Sequence, residues 1–273
     1  MKLQNGFGSL RAEKVRGKST ITRARASYPL KFLTPRCRGK SAWTYLSSMG
    51  GGLVDGDLVD ISIQVSAGAT SFVGTQASTK IFRSPSGKGC RQDLRATLEE
   101  DATLAILPDP ASCFAGSRYE QTQRFDLHET SSLLFLDWVT SGRWSSGERW
   151  EFSRYSSRTS VFVGGQHRIW DALVLDPQDG DLKSTFRMGD FNCLAMVIMI
   201  GPSFDFLVEA SLENVGSQAV GGDLSVIEAI SPIAGGALLR VVGVSAEHVE
   251  HVLRQRLEPV ASVLGESPWK RKW

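Results

Sequence analysis

The chain has 273 residues, enough to bury a substantial core as one large domain. Its 22% of charged residues and net charge of +2 exclude a disordered polyelectrolyte and leave no concentrated basic stripe for nucleic acid. Only the first forty residues are clearly basic, with Glu13 as their one acid, and an exposed strand face or arm is expected there.

Residues 1–30 hold no apolar segment of the kind a signal peptide carries. The longest apolar run, 191–200, includes Asn192 and is too short to cross a bilayer, so it is expected to form a buried strand. Cys37, Cys90, Cys113 and Cys193 follow no framework spacing, and free thiols in a reducing cytoplasm are the expectation. Neither a membrane nor a nucleic acid is expected as a partner.

Along the chain, strand signals dominate. Val59, Ile61, Ile63 and Val65 alternate with Asp60, Ser62 and Gln64, the period of a half-buried strand. Leu94, Ala96 and Leu98 repeat that period, and an apolar run at 104–107 follows. Residues 133–139 are apolar on both faces apart from Asp137, which predicts a strand covered on two sides. Further strands are predicted over 160–163, 169–175, 194–200, 204–209 and 237–244, and glycines punctuate the intervals, among them Gly221 and Gly222.

One helix is well signalled. Ser245 can cap it, Glu247 suits its positive end, and Val249, Val252, Leu253 and Leu257 form one apolar stripe. Pro259 should end or kink it, with a shorter turn over 260–264. The expected fold is mainly β, a single unit over 1–273, with a helical piece near the C-terminus and a frayed basic tail at 270–273.

Several catalytic signatures are missing. GKS occurs at 17–19 and 39–41, but Ala12 and Thr34 stand where a phosphate loop needs its first glycine. There is no GxSxG, HExxH or CxxC. His248 and His251, three apart on the predicted helix, can reach one metal ion, yet without a nearby third ligand they are read as a solvated face. Nothing near Cys113 in the sequence would activate it as a nucleophile.

What stands out instead is a set of glycine-rich polar segments. In GGGLVDGD, Gly50, Gly51 and Gly52 permit close approach of another backbone, and Asp55 and Asp57 follow. Those two aspartates are equally suited to ligating a cation or to building Asx turns in a tight connection. Further blocks are TQASTKIF at 75–82, PDPASCFAGSRYEQ at 108–121 and LDWVTSGRWSSGERW at 136–150.

These blocks and their spacing resemble urease accessory protein D, called H in some bacteria. YPLKFLTP at 28–35, RIWDALVLDP at 168–177 and MGDFNCLA at 188–195 add to the likeness, which covers roughly residues 6–257. DPASCF and SGRWSSGERW take forms closer to the plant and fungal branch. Ala77 departs from the glycine usual in TQGSTK, which stiffens the turn without touching its polar residues.

The resemblance implies an extended β-helix-like fold and a non-catalytic role. It implies a platform that binds accessory protein F, recruits the GTPase accessory protein G and docks on apo-urease. Nickel (Ni2+) would pass through the D protein in transit, with no permanently bound cofactor. Family positions proposed along that path match Asp57, Thr79, Asp137 and Asp171, each with a structural alternative as a hydrogen-bond acceptor or donor. Asp55 and Glu148 are weaker candidates, and Glu148 has Arg143 and Arg149 as alternative partners. Sparse oxygen ligands suit a path that must also release its ion. Trp144, Trp150, Tyr119 and Arg143 fit either a partner surface or the core. Two other readings are a β-helical hydrolase-type enzyme using Asp55 and Asp57 as paired carboxylates, and a structural adaptor with no metal path.

Overall fold

The computed structural model describes residues 5–36, 39–216 and 225–270. Cys37, Gly221, Gly222 and tail residues 271–273 therefore lie outside the described residues. In chain order the strands begin with β1 (Asn5–Val15), β2 (Lys18–Ala26), β3 (Leu30–Leu33), β4 (Ala42–Ser48), β5 (Leu58–Val65) and β6 (Thr70–Thr75). They continue with β7 (Thr79–Ile81), β8 (Cys90–Leu98), β9 (Thr103–Leu107), β10 (Ala111–Cys113), β11 (Arg118–Leu127) and β12 (Ser132–Thr140). The last are β13 (Arg154–Val163), β14 (Gln166–Leu175), β15 (Cys193–Ile200), β16 (Val226–Ile233) and β17 (Gly236–Gly243). Three α-helices accompany them: α1 (Asp205–Gly216), α2 (Ala246–Leu257) and α3 (Ala261–Leu264).

From β4 onward the chain winds between two sheets. Strands β5, β8, β11 and β13 pair in parallel in one sheet, while β4, β6, β9 and β12 pair in parallel in the other. Successive long strands alternate between the sheets, so the chain forms stacked coils of a β-helix. The short parallel strands β7 and β10 pair with each other, and β10 also pairs with β12, which joins them to the second sheet off its main path. Antiparallel strands extend the edges. Among the described residues the first sheet runs β14-β13-β11-β8-β5-β1-β2, and the main path of the second runs β16-β17-β15-β12-β9-β6-β4-β3.

Parallel register stacks equivalent positions into rows on the inner face of the first sheet. One row runs Leu10, Ile63, Ala96, Phe125, Val161, and another runs Ala12, Val65, Leu98, Leu127, Val163. These rows are apolar and fill the space between the sheets. Toward the other end of the same strands the rows turn polar, through Gln92, Gln121 and Ser157, and through Gln123, Thr159 and Asp171.

The second sheet is covered on both faces, as the apolar run at 133–139 predicts. Leu133, Phe135 and Val139 face the first sheet, whereas Leu134, Leu136 and Trp138 pack with residues of the three helices. Burial on both sides explains why β12 and β15 are apolar at nearly every position.

Residues 204–209 correct one expectation. The segment is helical, with a turn at Pro202–Phe204 leading into α1. Phe204, Phe206 and Val208 imitate a strand period, but the buried positions are Phe204, Leu207 and Ser211, spaced as one face of a helix. The C-terminal helix forms as the sequence indicates. Val249, Leu253 and Leu257 are buried, Ser245 Oγ accepts from the His248 amide at 3.4 Å, and the Pro259 turn follows. Ser245→Ala is expected to cost about 1 kcal/mol, measured by denaturant unfolding; an unchanged midpoint would remove the cap's role.

Candidate oxygen-lined interior site

The polar ends of the inner rows meet Asp137 of β12. Gln121 Nε2 lies 2.8 and 2.9 Å from the two Asp137 carboxylate oxygens, 2.9 Å from the Tyr155 hydroxyl and 3.1 Å from Ser157 Oγ. That nitrogen carries two protons, so it cannot donate to all four oxygens at once. Ser157 Oγ donates to Asp137 Oδ2 at 2.6 Å, and Tyr119 OH donates to Gln121 Oε1 at 3.2 Å. Thr159 Oγ1 and Ser157 Oγ reach Gln123 Oε1 at 3.2 and 3.5 Å.

Two cavities flank this cluster. The first, about 270 Å³, is lined by Asp137, Gln121, Thr79, Asp109, Leu94 and Phe135 among others. The second, about 230 Å³, is lined by Asp137, Ser157, Tyr155, Asp171, Met196 and Arg240 among others. Asp137 and Trp138 line both, so Asp137 stands on the partition between them. Asp137 is half-buried and lines both cavities between the sheets. That burial pushes its carboxyl up from the ordinary value, against the lowering effect of Ser157 and Gln121. Burial likewise raises the Tyr119 and Tyr155 phenols and the Cys113 thiol.

The sequence candidates fall into two groups. Thr79, Asp137 and Asp171 line the cavities. Asp55, Asp57 and Glu148 do not; each serves backbone amides instead. Asp57 is buried and its Oδ2 accepts from the Val54 amide at 2.9 Å. Asp55 accepts from Ser86 and Gly89 amides at 2.6 and 2.7 Å, and although desolvation opposes it, these bonds hold its carboxyl below the usual range. Glu148 pairs with the Arg143 guanidinium and also accepts from the Arg143 and Ala115 amides; the Arg143 pairing chiefly holds its carboxyl low.

Alternation carries signal for the residues that motif reading passed over. Tyr119, Phe125 and Leu127 fix the inward parity of β11, and Gln121 and Gln123 share it. Asp109, which exchanges hydrogen bonds with Thr75 at 2.7 and 3.0 Å, also lines the first cavity. Trp138 Nε1 donates to the Pro108 carbonyl at 2.8 Å, tying the PDP segment to LDW.

His248 and His251 are exposed, and His248 Nδ1 shares a hydrogen bond with Ser245 Oγ at 2.8 Å. No cluster of three or more His, Cys, Asp or Glu side chains forms among the described residues. Cys90, Cys113 and Cys193 are free and buried. Of the four partner-surface candidates, Trp150 and Tyr119 are core residues, while Trp144 and Arg143 are exposed. No helix among the described residues is long and apolar enough to cross a membrane.

These features define a parallel β-helix whose mainly apolar interior holds a polar cluster centred on Asp137. The family model for UreD urease accessory protein matches residues 4–273. Over 269 residues the chain is 41% identical to urease accessory protein UreD of Sorangium cellulosum, covering 98% of this chain and 84% of that one. It is 34% identical over 290 residues to urease accessory protein D of Oryza sativa subsp. japonica, covering 96% and 94%. It is 29% identical over 289 residues to urease accessory protein 4 of Cryptococcus neoformans var. grubii, covering 90% and 88%. The chain belongs to the UreD urease accessory protein family.

Proposed function

We propose that this protein is a non-catalytic urease maturation factor of the cytoplasm. It joins homologues of accessory protein F and the accessory GTPase G to apo-urease, and nickel in transit passes Asp137 on its way to the urease active site. The observation that carries the reading is the Asp137 cluster: a half-buried carboxylate with side-chain oxygens around it and a cavity on either side. Such sparse oxygen donors fit a divalent cation loosely, strongly enough to admit it and weakly enough to release it. The GTPase supplies the nucleotide chemistry, consistent with the missing phosphate loop.

Two features favour a narrower path than the family motifs imply. Asp57 is committed to the Val54 amide and lies off both cavities, so the working set is Thr79, Asp137 and Asp171. Asp55 and Asp57 each accept hydrogen bonds from backbone amides, which supports a structural role for them over the paired-carboxylate enzyme reading.

Deletion of the gene in a urease-producing cell is expected to leave urease protein abundant but nickel-poor and inactive, with tagged protein recovering the F homologue. Fully nickel-loaded urease in the deletion strain would overturn the proposal. Normal activation by an Asp137 variant that still binds its partners would instead leave the adaptor reading.

A further inference from the structure

Arg240 is out of place in its strand. In Leu238, Arg240 and Val242 of β17 the inward parity is otherwise apolar, and Asp137, Met196 and Arg240 are cross-strand neighbours in one row of the second sheet. Two strand spacings put the Arg240 backbone about 10 Å from that of Asp137. Its guanidinium reaches across to the first sheet, where Nη2 contacts Asp171 Oδ1 at 2.5 Å. Both residues line the second cavity, and Arg240 is its one basic lining residue among the described residues. The Arg240 side chain is 49% exposed and that of Asp171 20%. The pair therefore sits where the cavity meets solvent.

A guanidinium is a permanent cation and the wrong charge to place on a route for another cation. While paired, it also neutralises the one carboxylate at that rim. We propose that Arg240 is a charge gate: by holding Asp171 it closes the outer mouth of the second cavity to divalent cations, which reach Asp171 only when the Arg240 side chain swings into solvent. The proposal rests on the nickel-path reading of the same interior and adds the residue that controls access to it. Arg240 would act through Asp171 and need touch no metal ion itself.

The test is equilibrium dialysis of the full chain against Ni2+. Arg240→Gln frees the Asp171 carboxylate and is expected to tighten Ni2+ binding by about fivefold to tenfold. Arg240→Gln combined with Asp171→Asn should return to the wild-type value, and Arg240→Lys, which keeps the charge, should not differ from wild type. Unchanged or weaker Ni2+ binding by Arg240→Gln, with circular dichroism matching wild type, would overturn the gate. Failure of the path reading is distinguishable, because it shows in urease nickel content when Asp137 is replaced, whatever the dialysis gives.

Discussion

Asp137→Asn is expected to lower urease activation at least about tenfold at limiting nickel while leaving the fold and the partner complex intact. The exchange keeps the size and shape of the side chain beside Gln121 and Ser157, and replaces one carboxylate oxygen with an uncharged NH2 that donates rather than accepts. Stability should move the other way. Burial raises the folded-state pKa of this carboxyl, so the folded protein holds the proton more tightly than the unfolded chain does. The wild type therefore loses stability as pH rises from the unfolded carboxylate value through the raised folded one. The Asn variant escapes that loss, and its melting temperature should exceed wild type at neutral pH and converge with it under acid conditions. Urease nickel content together with thermal unfolding at several pH values checks both halves. A variant that activates urease normally would remove Asp137 from the proposed nickel path.

Gly52→Ala is expected to be the most damaging single change in the glycine run. A Cβ at Gly52 would stand 2.3 Å from the Lys80 carbonyl oxygen and 2.7 Å from the Phe82 ring. The Lys80 backbone cannot retreat cheaply, because its carbonyl accepts from the Leu53 amide at 2.8 Å and the Phe82 amide donates to Leu53 at 2.9 Å. Overpacking of this kind costs about 2–3 kcal/mol, a fall of about 4–12 °C in melting temperature for a chain of this size. Any shift of Lys80 also carries its neighbour Thr79, a lining residue of the first cavity, so urease activation should drop with stability. Gly51→Ala makes the contrast. Gly51 has φ +80 and open space around it, so only backbone strain applies, at about 1 kcal/mol. Equal losses at the two positions would refute close packing as the reason for Gly52.

The sequence carried the architecture further than the site. The strand periods of 59–65 and 133–139 indicate one-sided and two-sided burial, and the coils display both. The N-terminal strands were less legible, since β2 is an edge strand with few apolar positions to set a period. At the site, an aspartate after a run of glycines suits amide capping as well as metal ligation, and Asp55 and Asp57 took the first role. Asp137 was conspicuous because a carboxylate in an apolar strand demands a local reason. Its partners Gln121 and Ser157 come from other coils, and Arg240 meets Asp171 across 69 positions. Motif spacing holds no record of such a meeting, which follows from register between stacked strands.

The coiled build also leaves an open flank. The first sheet ends at β2, whose outer side has no neighbouring strand among the described residues, a template on which another copy's strand could stack. The cationic bias of the N-terminal segment falls there: Lys18, Arg23 and Arg25 lie on β2 and are exposed. Like charges brought edge to edge repel, so this border discourages the protein from polymerising into fibres through its own hydrogen-bonding rim. Concentrated salt screens that repulsion and weakens the safeguard.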